Sequence, residues 1–219
     1  MLKLVPAHGE LPVTSEYRDP LRHPFMYLAG SAAMLAGRAL AAIDKRLPVE
    51  AWSLGREALG IIAYSVGSVA DADYARMLGL RGTAEFALRL GELDRAAALA
   101  RELLALAERF RADFDYGNAV HHGHLLLGRV ALLRGDRSAA GEELLAASRT
   151  PGSPQLNSFG PNMGLAQELL RAGDREVVLQ YFELCAKFWM PPFGTERLAE
   201  WAAQVRSGTV PDFGANLIY

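Results

Sequence analysis

The sequence has a single cysteine, Cys185, in 219 residues. One thiol excludes an internal disulfide framework and fits a reducing compartment, so a cytoplasmic protein is expected. There is no excess of basic charge either. The formal net charge is -2, which gives no electrostatic case for nucleic acid or for an anionic membrane. Arg129, Arg134, Arg137 and Arg149 cluster locally, but acids are interspersed, and no nucleic-acid partner is expected. Long apolar runs are also scarce. The one membrane suspect, "FMYLAGSAAMLAGRALAAI" over 25–43, is interrupted by Arg38 and is mostly small residues, which reads as a buried helix and not a span. Residues 1–23, broken by Pro6, Pro12 and Pro20, read as an extended arm without a targeting segment.

The catalytic signatures are missing as well. No phosphate-binding loop, dinucleotide fingerprint, HExxH or GxSxG occurs. The "DFG" at 212–214 has neither a glycine-rich nucleotide loop nor a kinase catalytic loop to accompany it. Cys185 falls on the packing face of its helix and reads as a core residue.

Alternating strand-like runs are nearly absent. Apolar residues at three- and four-residue spacing dominate from about 25 to 207, with Leu, Ala, Arg and Glu at most positions. The pattern predicts an all-α chain with helices near 25–45, 49–68, 71–90, 93–112, 117–134, 137–149, 162–172, 175–189 and 195–207. Eight of these pair into four antiparallel hairpins across short links, and the ninth caps them. The breakers repeat: "RLGELDRAAALA", "LRGDRSAAGEEL" and "RAGDREVVLQYF" each place a Gly at a helix end and an acid at the next start. Gly91, Gly135 and Gly173 are the matching glycines, and repeats of this period point to stacked helical units.

The stretch "HLLLGRVALLRGDRSAAGEELLAASRTP" resembles a tetratricopeptide repeat in Leu127-Gly128, Ala140, Leu144, Ala147 and Pro151. It departs at His124 and Ala131, where aromatics are usual. Ala84 with Ala96, and Ala166 with Phe182, give weaker matches in the neighbouring units, so the resemblance covers about 70–190. It implies a right-handed α-solenoid of about four stacked hairpins over 24–207, with a protein or peptide partner held on a concave face. The first helix of each pair would line that face. Helical spacing then selects His122, Leu125, Arg129 and Leu132, with Met163 and Gln167 on the next unit. Two other readings stay open: an enzyme of unrecognised type with a pocket on that face, and a structural domain that dimerises through its termini.

Two segments break the economy of the chain. "TPGSPQLNSFGPN" at 150–162 is too rich in turn residues for a helix, yet it carries Leu156 and Phe159, so an ordered loop folded over the edge of the stack is expected. Its "SFGPNM" is echoed by "DFGANL" at 212–217. The echo predicts a shared turn in which Phe159 and Phe213 anchor and Asn162 and Asn216 bond nearby backbone, docking the tail over 208–219. The remaining cluster, "HHGH" at 121–124, places His121 and His124 one helical turn apart, a spacing that suits a metal. Core packing of His124 is the preferred reading, and neither metal nor cofactor is expected.

Overall fold

Each of the three matching glycines sits in the left-handed region, with φ of 77° at Gly91, 86° at Gly135 and 97° at Gly173. A residue with a side chain is strained there, and glycine is not. At each one the glycine N–H donates three residues back and the next N–H donates five back, as in Asp136 to the Ala131 carbonyl (3.0 Å) and Asp174 to the Leu169 carbonyl (2.9 Å). This is a Schellman cap, which satisfies the orphan carbonyls of an ending helix. A fourth occurs at Gly208, where Thr209 donates to the Gln204 carbonyl at 2.9 Å.

These caps punctuate an all-helical architecture. The computed structural model describes residues 72–217. Its helices are α1 (Ala72–Arg89), α2 (Leu93–Ala107), α3 (Tyr116–Leu133), α4 (Arg137–Ala147), α5 (Pro154–Phe159), α6 (Gly164–Ala172), α7 (Arg175–Cys185) and α8 (Phe193–Arg206), with short 3-10 turns at Glu108–Phe110 and Gly214–Leu217. No strand occurs among the described residues, and none of their helices is long and apolar enough to cross a membrane. The arm expected over 1–23, the helices expected at 25–45 and 49–68, and the last two residues lie outside the described range.

Neighbouring helices run antiparallel, as their ion pairs require. Arg76 and Glu102 join the start of α1 to the end of α2, and Arg134 and Asp94 join the end of α3 to the start of α2. His124 Nδ1 and Glu143 Oε2 (2.7 Å) tie α3 to α4. Small residues allow these helices to approach closely. A Cβ on Gly128 would come within 2.4 Å of the Leu165 side chain, and Ala140 and Ala147 are fully buried. One core joins α1, α2 and α3 around Ala84, Ala97, Ala100 and Leu126. The largest runs from α3 to the tail around Leu144, Leu169, Phe182, Trp189 and Trp201.

The turn-rich loop is ordered and contains a helix that its composition concealed. Ser153 Oγ accepts from Leu156 N–H at 2.9 Å and Pro154 occupies the first turn, an N-terminal signal that starts α5. The echoed motifs meet in space. Asn216 Nδ2 donates to the Phe159 and Pro161 carbonyls (3.1 and 2.9 Å), and its own carbonyl accepts from Met163 N–H (2.8 Å). Phe213 is buried edge-on against Trp201, with centroids 4.9 Å apart. Asp212 Oδ1 accepts from Gly214 N–H (2.9 Å), so its carboxylate shapes the turn.

One member of the echo departs from expectation. Gly160 and Gly214 share positive φ, but the Phe159 side chain is 54% exposed and is not enclosed as Phe213 is. Leu156, at 1% exposure, anchors it, because the short α5 turns that position inward and places Phe159 at its outer end. Phe213→Ala should therefore cost about 3–5 kcal/mol, the range for a buried Phe. Phe159→Ala should cost under about 1 kcal/mol. Urea denaturation of both variants checks the contrast, and equal losses would contradict the packing described.

Candidate functional site

Helix α3 carries the polar residues that matter, and it is covered round most of its circumference. Gly117, Ala119, His121, His122, Gly123, Leu125, Leu126, Gly128 and Val130 are all buried on it. A helix apolar on all sides sits inside a fold and presents no open face. The stripe expected to face a partner is accordingly dispersed. Leu125 and Met163 are core residues, and Leu132 packs against the same core. Arg129 is committed across to α6, with Nη2 and Nε at 2.8 and 3.1 Å from Glu168 Oε1. Gln167 keeps partial exposure. Spacing identifies residues that share a face, but α6 returning from the loop covers this one, with Leu165 against Gly128 and Glu168 against Arg129.

The histidine cluster also resolves into separate roles. His121 is fully buried, and its Nδ1 lies 3.0 Å from the Ala147 carbonyl, which can only accept, so Nδ1 carries the proton. Nε2 is then the acceptor for Asn162 N–H at 3.1 Å. A single imidazole thus joins α3 to the end of α4 and to the loop. Asn162 extends the tie, since its carbonyl accepts from Tyr181 Oη (2.8 Å) and its side chain caps Gly164 N–H (2.9 Å). Burial pushes the His121 imidazolium down to about 4, with the nearby Arg81 charge adding to the effect. Both His121 nitrogens are spent on backbone partners and His124 Nδ1 on Glu143, so the pair expected as candidate metal ligands does not face a common point. Among the described residues no three His, Cys, Asp or Glu side chains form a metal-holding group. Cys185 is buried in the main core, which pushes its thiol well up.

His122 points elsewhere. It lines a cleft of about 360 Å³ walled by α1 (Met77, Leu78, Arg81), α2 (Leu103), α3 (Asp115, Asn118, Ala119) and α5 (Gln155, Leu156, Phe159). The loop that interrupts the regular pattern therefore supplies one wall. Met77, Leu103 and Leu156 are each 1% exposed and make an apolar floor. Around it the polar groups are mostly paired. Asn118 donates to Gln155 Oε1 (3.0 Å) and accepts from Ser153 Oγ (2.7 Å), and Arg81 Nε donates to Glu85 (2.9 Å). The Tyr74 hydroxyl lies 3.0 Å from Asp113 Oδ1 and 2.9 Å from Asp115 Oδ2, one proton between two carboxylates. Burial raises both the Asp115 carboxyl and the Tyr74 phenol above their ordinary values. His122 is 93% removed from solvent yet makes no hydrogen bond among the described residues, its neighbour being the His121 ring edge-on at 5.1 Å. Burial, with Arg81 nearby, holds it well below its ordinary value and therefore neutral.

Of the residues expected to face a partner only His122 lies in this cleft, with Phe159 of the expected loop anchors at its edge. Asn118 and Ala119 share the helix of His122 at four- and three-residue spacing, but Met77, Leu78, Arg81, Leu103, Gln155 and Leu156 come from helices distant in the chain, and no spacing rule relates those to His122. Comparison with family models, with curated proteins and with solved structures yields no match.

The buried histidines set an acid limit on stability. Unfolded, each takes up a proton near its ordinary 6.5; folded, His121 does so only near 4. The unfolded chain holds more protons within that window, so stability is complete above 6.5 and is lost as pH falls through it. His121 alone should account for about 2 kcal/mol between pH 7 and pH 5. His122 should add to this. Urea midpoints across that range check it, and a flat profile would mean that both imidazoles protonate freely in the folded protein.

Proposed function

We propose that this chain is a protein-interaction module, a right-handed solenoid of stacked helical hairpins in the tetratricopeptide-like manner, which holds a segment of a partner protein. Support for the repeat comes from ties between successive hairpins. Arg134 to Asp94, Arg129 to Glu168 and Arg137 to Asp174 link residues 40, 39 and 37 apart in sequence. That offset resembles the spacing of the three Schellman glycines, as nearest-neighbour stacking of equivalent units would produce. A reducing compartment such as the cytoplasm suits a protein with one thiol, buried in its core.

The observation that carries the reading is the cleft over α1, α2, α3 and α5: an apolar floor, paired polar walls and one polar side chain, His122, with no hydrogen bond among the described residues. Concave, mostly apolar sites with a few placed polar groups are where proteins receive ligands. The cleft is open at the loop side, where Gln155 and Phe159 are exposed, so a chain segment can lie across it and insert a side chain.

Gln155→Trp should fill the mouth while leaving the fold intact, because exposed substitutions rarely cost more than about 0.5 kcal/mol. In co-purification from native extract, a partner held by the unaltered chain should be lost with Gln155→Trp and kept with Gln167→Ala. Full retention by a folded Gln155→Trp protein would move the interaction away from the cleft.

A further inference from the structure

Resting on the interaction reading, we infer that the cleft is a receptor for a tyrosine side chain of the partner segment, with His122 as the group that binds its hydroxyl. Three observations converge on this chemistry. First, the floor of Met77, Leu103, Ala119 and Leu156 is apolar, and the volume of about 360 Å³ leaves a Ser or Thr side chain rattling in unfilled space. A flat aromatic body covers more of that floor than a smaller side chain and buries the most apolar area, with room left for the backbone that carries it.

Second, His122 is the polar group on the wall that lacks a hydrogen bond among the described residues, while more than nine-tenths buried. Its ring nitrogens still reach solvent, since they are not among the sealed, unpaired polar atoms of the described residues. A ligand that closes the cleft without pairing them would leave them buried and unsatisfied, so one that pairs them is favoured over its apolar twin. A neutral imidazole shows one N–H and one lone pair, on opposite nitrogens. Either nitrogen suits a hydroxyl, which both donates and accepts. Indole N–H can only donate, and phenylalanine offers nothing.

Third, the charges on the walls disfavour a charged tip. Arg81 and Asp115 line the same space with opposite signs. Arg81 already serves Glu85, and Asp115 already accepts from Tyr74 and Asn118. An ammonium or a carboxylate entering the cleft gains from one and is repelled by the other. A phenol, uncharged below about pH 10, avoids that conflict.

The test compares acetyl-Gly-Tyr-Gly-amide with acetyl-Gly-Phe-Gly-amide, and p-cresol with toluene, on the intact ¹⁵N-labelled chain. The tyrosine tripeptide should bind about tenfold more tightly than its phenylalanine twin, the ratio one good hydrogen bond supplies. It should shift amides of α3 and α5 and move the His122 ring nitrogens, which the phenylalanine peptide should leave in place. In His122→Leu the ratio should fall to about one. If that variant does not fold, the ring-nitrogen shifts of the unaltered protein decide alone. Equal affinities, an unmoved His122 ring, or a tyrosine preference that survives His122→Leu would overturn the inference. Binding of p-cresol with exclusion of the tripeptide would also overturn it, in favour of a free phenolic ligand. A tyrosine preference in a protein whose partners ignore Gln155→Trp would remove the interaction reading and leave the chemistry of the cleft standing.

Discussion

The two hydrogen bonds of His121 hold together parts of the chain that no regular packing would join. One nitrogen donates to the last carbonyl of α4 and the other receives the Asn162 N–H from the far end of the loop. Because both partners are backbone groups, the imidazole fixes the path of the main chain on either side of α5. Helix α5 is in turn a wall of the cleft. The arrangement works only with a neutral ring, which burial enforces by making the charged form unfavourable. A phenyl ring of similar shape would fill the space and leave both backbone groups unpaired, a cost of about 1–3 kcal/mol for each.

The second support comes from the tail. Asn216 satisfies the Phe159 and Pro161 carbonyls where the chain leaves α5 without a continuing helix to donate to them. Phe213 holds the tail in place by packing on Trp201 and Phe182. His121 thus grips the loop from the α3 side and Asn216 from the α8 side, and between them α5 keeps a fixed position although it is only six residues long. A helix of that length has too few internal hydrogen bonds to persist by itself.

Much of the fold was legible because its signals are local. Three glycines followed by acids marked helix ends, and all three form the same cap, since only the left-handed conformation closes it without strain. Helix α5 was missed because Pro, Gly, Ser and Asn dominate its surroundings, although Ser153 followed by Pro154 is itself a start signal. The site was far less legible. Periodicity grouped His122 with Leu125 and Arg129, but whether a helical face meets solvent depends on what returns to cover it, and α6 does so here. Met77, Arg81, Gln155 and Leu156 converge on His122 from separate helices, a relation that exists only after folding. The echo of Phe159 with Phe213 suggests a shared anchor, whereas what the two motifs share is a positive φ at Gly160 and Gly214.

Asn216 and Phe213 belong to the last described turn, yet they act on the wall of a cleft that neither of them lines. Proximity to the cleft is therefore a poor guide to which residues control it. In a saturation mutagenesis screen scored by folded stability, both positions would sort with Leu156 and His122 and not with the exposed residues that flank them. Second-site suppressors of a damaged tail would be found in α5, more than fifty positions upstream in the chain, where a strengthened helix start could replace the support that the tail had given.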